Sequence, residues 1–95
     1  MAKKKFGKET YLKWYEEMLL WRKFEEKTGQ LYIQQKIRGF CHLYIGQEAV
    51  LAGSVEATEE GDKFITAYRD HVHPIALGVP AKKIMAELFG KKTGI

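Results

Sequence analysis

Between residues 11 and 35 the chain carries the apolar period of a single helix face, and that run constrains everything else a 95-residue chain can build. A helix of that length spans about 37 Å, more than the width of a small domain. The remaining residues must therefore pack along it. Tyr11, Trp14, Tyr15, Met18 and Trp21 fall on one face, and Leu20, Phe24 and Leu31 extend a neighbouring stripe. Lys13, Glu16, Glu17, Lys23, Glu26 and Lys27 fall largely elsewhere, with Lys13–Glu17 and Arg22–Glu26 spaced for i,i+4 pairing. Gly29 interrupts the pattern and gives room for a bend, but Leu31, Tyr32 and Ile33 resume it. Thr10 suits an N-cap. Residues 1–9 then read as a basic, flexible tail, and 10–95 as the folded unit.

The rest of the chain divides into short elements. Gly39 and Gly46 bracket an apolar loop of Phe40, Cys41, His42, Leu43 and Tyr44. Loops of that composition pack against something. A second helix is expected over 47–57, with Glu48 placed well for the helix dipole. Its Ala49, Gly53 and Ala57 form a line of small side chains that permits close approach. After a polar turn at 58–62, residues 63–67 read as a short buried strand. Tyr68-Arg69-Asp70-His71 follows where strand gives way to a helix over 70–77, which ends at Gly78. Pro80 suits the first position of a last helix. Its Ala81, Ile84, Met85, Leu88 and Phe89 keep the helical period, and Gly90 suits the position just past its end. The expected fold is thus mainly α, with four helices and one short strand. A lone strand cannot satisfy its own backbone groups. Either 63–67 is not a strand here, or its partners lie outside this chain.

Composition narrows the class. There is room for one small domain, burying about 60–65% of the surface exposed on unfolding. The single cysteine, Cys41, excludes an intrachain disulfide and suits a reducing compartment. The net charge of +4 depends on Lys3, Lys4, Lys5, Lys91 and Lys92 near the two ends, and without those five its sign reverses. A nucleic-acid binder needs a basic face on the folded body, and none is visible. No apolar run approaches the roughly 18–20 residues of a membrane span. The basic start lacks the apolar core of a secretory signal. A cytoplasmic location is expected.

Two segments hold most of the polar residues that carry chemistry: Phe40-Cys41-His42 and Tyr68-Arg69-Asp70-His71-Val72-His73. Cys41, His42, His71 and His73 are ligand types for zinc, but adjacent Cys41 and His42 do not have the usual ligand spacing, so no metal site is expected. Anion binding is the stronger functional reading. Arg69 offers a planar fork for phosphate and Tyr68 a neutral donor, at the end of an extended segment and before a helix. The competing reading pairs Arg69 on the surface with Asp70, Glu56 or Glu59. His42 is open in the same way. It is either a hydrogen-bonded structural histidine or an imidazole that donates to a developing oxyanion or moves a proton. The aromatic run Tyr11/Trp14/Tyr15/Trp21 reads as packing.

Taken together, three segments carry a family resemblance. Ile37-Arg38-Gly39-Phe40-Cys41-His42-Leu43-Tyr44-Ile45-Gly46-Gln47-Glu48-Ala49 resembles the signature near the start of the alpha subunits of the thiamine-diphosphate-dependent 2-oxoacid dehydrogenases, in the pyruvate dehydrogenase form. Ile65-Thr66-Ala67-Tyr68-Arg69-Asp70-His71 and Met85-Ala86-Glu87-Leu88-Phe89-Gly90 resemble the next two signatures, in order and at the right spacing. The likeness covers roughly residues 11–94. It implies that the chain is an N-terminal piece of an α/β thiamine-diphosphate-binding fold.

The resemblance also implies roles. Tyr68 and Arg69 match residues that contact the cofactor diphosphate. His42 matches a histidine beside the thiazolium ring and the 2-oxoacid, Phe40 lines the same pocket, and His71 matches a histidine near the channel. His42 and His71 are thereby the candidates for catalysis. The reaction implied is decarboxylation of pyruvate and transfer of the acetyl group to a lipoyl-bearing acyltransferase component. The assembly implied is α2β2 with a beta subunit that supplies the acid activating the aminopyrimidine. Magnesium ligands are expected outside this chain, in a Gly-Asp-Gly segment that family members carry beyond the position matching Ile95. The piece alone is accordingly expected not to decarboxylate pyruvate. The run His71-Val72-His73-Pro74 departs from the family, which often has a small residue at the position of Val72. An acetoin or branched-chain 2-oxoacid dehydrogenase subunit is the near alternative, and a non-catalytic helical interaction module the distant one.

Overall fold

In the computed structural model, which describes residues 6–95, four helices are present: α1 (Lys8–Ile33), α2 (Glu48–Glu56), α3 (Val72–Ala76) and α4 (Ala81–Leu88). The long helix sets the frame. α1 packs on α2 and α3, α2 on α3, and α3 on α4. The core gathers at their junction, where Trp21, Phe24, Tyr44, Leu51, Ala52, Val72 and Ile84 are buried together. Trp14, Met18, Met85 and Leu88 pack around that cluster.

α1 begins a turn earlier than the sequence suggests. Gly7, not Thr10, is the N-cap, and its carbonyl accepts from Thr10 N–H and Tyr11 N–H. Phe6 packs edge-on to Tyr11 (ring centroids 6.2 Å apart) and to Trp14 (4.9 Å). An apolar residue before the cap bracing the fourth helical residue fixes the entry of the chain. Residues 8 and 9 are therefore helical rather than tail, while the expected tail over 1–5 lies outside the described residues. The helix passes unbroken through Gly29. A side chain there would meet Leu43 Cδ1 at 3.0 Å, so the glycine is the place where the apolar loop comes down on the helix.

The buried face of α1 is rotated from the aromatic stripe. Trp21, Phe24, Glu25 and Thr28 are buried, whereas Tyr11, Tyr15 and Leu20 are exposed. Only the Trp14 and Trp21 part of the aromatic run packs on the core. Lys13 pairs with Glu17 at 3.9 Å, but Arg22 turns away from Glu26 toward Glu48 on α2. Glu26 lies instead 3.8 Å from Lys23.

The other helices lie within a residue or two of their expected ranges. Three of the four end the same way. After α3, Gly78 N–H donates to the Ile75 carbonyl and Val79 N–H to that of Pro74. After α4, Gly90 N–H donates to Glu87 and Lys91 N–H to Ala86. Both glycines have positive φ, as this double-bonded ending requires. α1 makes the same ending with Gln35 N–H on Tyr32 and Lys36 N–H on Leu31. Here the left-handed position is held by Gln35, at φ 63°.

The expected strand is corrected. Among the described residues no strand is present, and 63–67 has no regular secondary structure and no ladder. Ile65 and Thr66 are exposed, and only Phe64 is half-buried. A strand needs a neighbour to receive its backbone bonds, and the helices offer none. Among the described residues no helix is long and apolar enough to cross a membrane.

Candidate functional site

The apolar loop between α1 and α2 is gripped from the long helix at successive points. Glu25 Oε2 accepts from Tyr44 N–H at 2.9 Å. Glu48 Oε2 accepts from Gly46 N–H at 3.1 Å, and its two oxygens take the Arg22 fork at 2.9 and 3.0 Å. That bidentate hydrogen bond holds the Glu48 carboxyl below the usual carboxylate range and the guanidinium above its ordinary value. The loop carrying His42 is thereby fixed to α1 and to the first turn of α2.

Arg69 ties the second segment to this loop. Its Nη1 donates to the Leu43 carbonyl at 2.7 Å. Its guanidinium carbon lies 5.6 Å from the Tyr68 ring centroid, and the Tyr68 ring meets His42 edge-on at 4.7 Å. The structure thus brings His42, Tyr68 and Arg69 into one group. Of the two readings of Arg69, surface pairing with Asp70, Glu56 or Glu59 does not occur among the described residues. Tyr68 and Arg69 open onto a cleft of about 450 Å³ that Tyr44, Gln47, Thr66 and His73 also line. His73 packs edge-on to Tyr44 at 4.9 Å, and its buried Nδ1 has no hydrogen-bond partner among the described residues. Burial pushes His73 below the usual histidine range and the Tyr44 phenol above its own.

Phe40 and His71 are not part of that group. They line a second open cleft of about 640 Å³, with Arg38, Asp70 and Glu87. Phe40 is 95% exposed. Arg69 lines the first cleft, whereas Asp70 and His71 line the second. His71 Nδ1 lies 3.4 Å from Glu25 Oε1, near enough for an ion pair but short of hydrogen-bond geometry. This carboxyl raises the His71 imidazole above the usual histidine range, against the effect of burial.

Burial likewise raises the Cys41 thiol. Among the described residues no group of three or more His, Cys, Asp or Glu is placed to hold a metal ion. What the sequence reading missed is Glu25. The only sign of it was an acid four residues after Trp21, on the face that Trp21 buries.

The donor set at Tyr68 and Arg69 suits a diphosphate: a planar cation lining a cleft with one nitrogen on a carbonyl, beside a tyrosine that is 66% exposed.

Comparison with known proteins bears on the same residues. The family described as dehydrogenase E1 component matches residues 16–95. The chain is 59% identical over 90 residues to a "Pyruvate dehydrogenase E1 component subunit alpha" of Rhizobium meliloti, covering 95% of this chain and 26% of that protein. A protein of the same name from Rickettsia prowazekii is 55% identical, over 92% of this chain and 27% of its own length. The chloroplastic subunit alpha-3 of Oryza sativa is 49% identical, over 92% of this chain and 20% of its own. The chain spans about a quarter of the length of the first two relatives.

Proposed function

We propose, since this chain belongs to the dehydrogenase E1 component family, that it forms the N-terminal part of the alpha subunit of a pyruvate dehydrogenase. The observation that carries the reading is the convergence of His42, Tyr68 and Arg69, with the Arg69 fork seated on the Leu43 carbonyl at 2.7 Å. In this reading Arg69 and Tyr68 bind the diphosphate of thiamine diphosphate. The carbonyl anchor aims the guanidinium, so little order is lost when the anion arrives. Thiamine diphosphate, when bound, supplies the electron sink for loss of carbon dioxide from a 2-oxoacid.

His42 stands on the exposed side of Tyr68 and offers its imidazole to the substrate oxygen as donor or proton carrier. Phe40 supplies an apolar wall that excludes water once a partner covers it. His71 presents a second imidazole on the other side of the same segment. The beta subunit, a lipoyl-bearing acyltransferase component, and magnesium held by ligands outside this chain complete the proposed assembly. Its proposed location is cytoplasmic.

The test exchanges the matching quarter of the Rhizobium meliloti subunit for this chain and assays the assembled enzyme. Decarboxylation of pyruvate with acetyl transfer is expected. Arg69→Ala in that enzyme should raise the thiamine diphosphate concentration needed for half activity by about tenfold or more, as loss of a charge-assisted bond does. An assembled exchange enzyme that prefers acetoin or a branched-chain 2-oxoacid sinks the substrate assignment. An Arg69→Ala enzyme with unchanged cofactor demand sinks the diphosphate role.

A further inference from the structure

The least expected group in the core is a carboxyl. Glu25 is 1% exposed, near the middle of α1, one residue after Phe24 and four after Trp21. A buried acid is costly unless its oxygens are matched. One oxygen, Oε2, takes the Tyr44 N–H at 2.9 Å. The other, Oε1, faces His71 Nδ1 at 3.4 Å, and neither of these two buried atoms has a hydrogen-bond partner among the described residues. At that separation a small reorientation of the ring toward the carboxyl brings the two atoms into hydrogen-bond geometry.

We propose that Glu25 is a positioning residue: one carboxyl holds the His71 ring with its Nδ1–H toward α1, leaving Nε2 for the cleft, and at the same time holds the His42 loop through Tyr44. The carboxyl takes the Nδ1 proton as its hydrogen bond, and this selects the tautomer whose Nε2 carries a lone pair. Nε2 then accepts a proton from a group in the cleft and returns it, while the carboxyl steadies the cation formed in between. The inference rests on the reading above only for what that proton belongs to. The orientation of the ring stands on this chain's own geometry.

The charged groups facing His71 come from three elements. Glu25 approaches from α1, Asp70 from the segment before α3 and Glu87 from α4, and all three favour the cation. Arg38 lines the same cleft from the loop after α1. Removing Glu25 alone leaves two acids in place, so the fall in His71 affinity for a proton is partial.

The experiment is nitrogen-15 NMR of the histidine rings in the 95-residue chain. Above its titration, His71 is expected as the Nδ1–H tautomer, and an Nε2–H ring overturns the proposal. In Glu25→Gln, the His71 midpoint should fall by about 1 pH unit, with the His73 signals unmoved. An unchanged His71 midpoint in a variant with wild-type far-UV circular dichroism also overturns it. If Glu25→Gln does not fold, the wild-type tautomer decides alone. An inactive exchange enzyme made from a chain with the expected His71 tautomer counts against the functional reading and not against this one. An active one with an Nε2–H ring does the reverse.

Discussion

Gln35 shows how one residue can carry a small, removable cost. The ending of α1 requires a left-handed residue, and α3 and α4 fill that position with Gly78 and Gly90. A glutamine at φ 63° brings its Cβ close to the next carbonyl, which costs about 1 kcal/mol. Gln35→Gly is therefore expected to stabilise the chain by about 0.5–1 kcal/mol. That corresponds to a rise of several degrees in thermal midpoint for a domain of this size, readable by circular dichroism. An unchanged or lowered midpoint would show that the loop after α1, rather than the helix ending, sets the cost. The glycines after α3 and α4 were readable as helix stops in the chain itself. The end of α1 was readable only from where its apolar period stops, near residue 35, and the backbone bonds to the Tyr32 and Leu31 carbonyls show how it closes.

Among the elements, the helices and the irregular segment 63–67 stand in contrast. α1 is held by its own backbone bonds and by burial of Trp21, Phe24 and Thr28. The irregular segment has neither a ladder nor a buried face, and Ile65 is fully exposed. In hydrogen exchange, amides of 63–67 should exchange close to the rate of an unfolded peptide, while those of 21–28 should be the slowest in the chain. Strong protection at 64 and 66 would mean that the segment pairs with another chain in solution. The β-type pattern of Lys63-Phe64-Ile65-Thr66-Ala67 was a sound local reading. Local propensity cannot supply the neighbouring strand, and that is why it fails here.

For the molecule as a whole, Glu48, His71 and His73 give stability its pH profile below the range in which the raised Cys41 thiol and Tyr44 phenol act. Glu48 is held below the usual carboxylate range, so its contribution is present above that range and is lost as pH falls through its depressed folded value. His71 is raised, so its contribution is complete below the ordinary histidine range and fades as pH rises through its higher folded value. His73 is lowered, so it acts the other way, losing stability as pH falls through the histidine range. Thermal melts across pH should show a broad maximum with losses on both sides. Glu25→Gln should flatten the alkaline loss and leave the acid side, where Glu48 acts, unchanged. An alkaline side that keeps its slope in that variant would remove the Glu25–His71 pair as its cause. The chain is also elongated, 50 Å along its longest axis, as a helix of 26 residues requires. The sequence by itself determined the helices, their approximate ends and the two segments whose residues carry chemistry, because period, glycine and proline act over a few neighbours. Only the tertiary structure decided that Arg22 reaches Glu48 rather than Glu26, that Arg69 seats on Leu43, and that Glu25 is buried between Tyr44 and His71. Those pairings join residues 19 to 46 positions apart, and no local pattern encodes which distant partner a buried charge will meet.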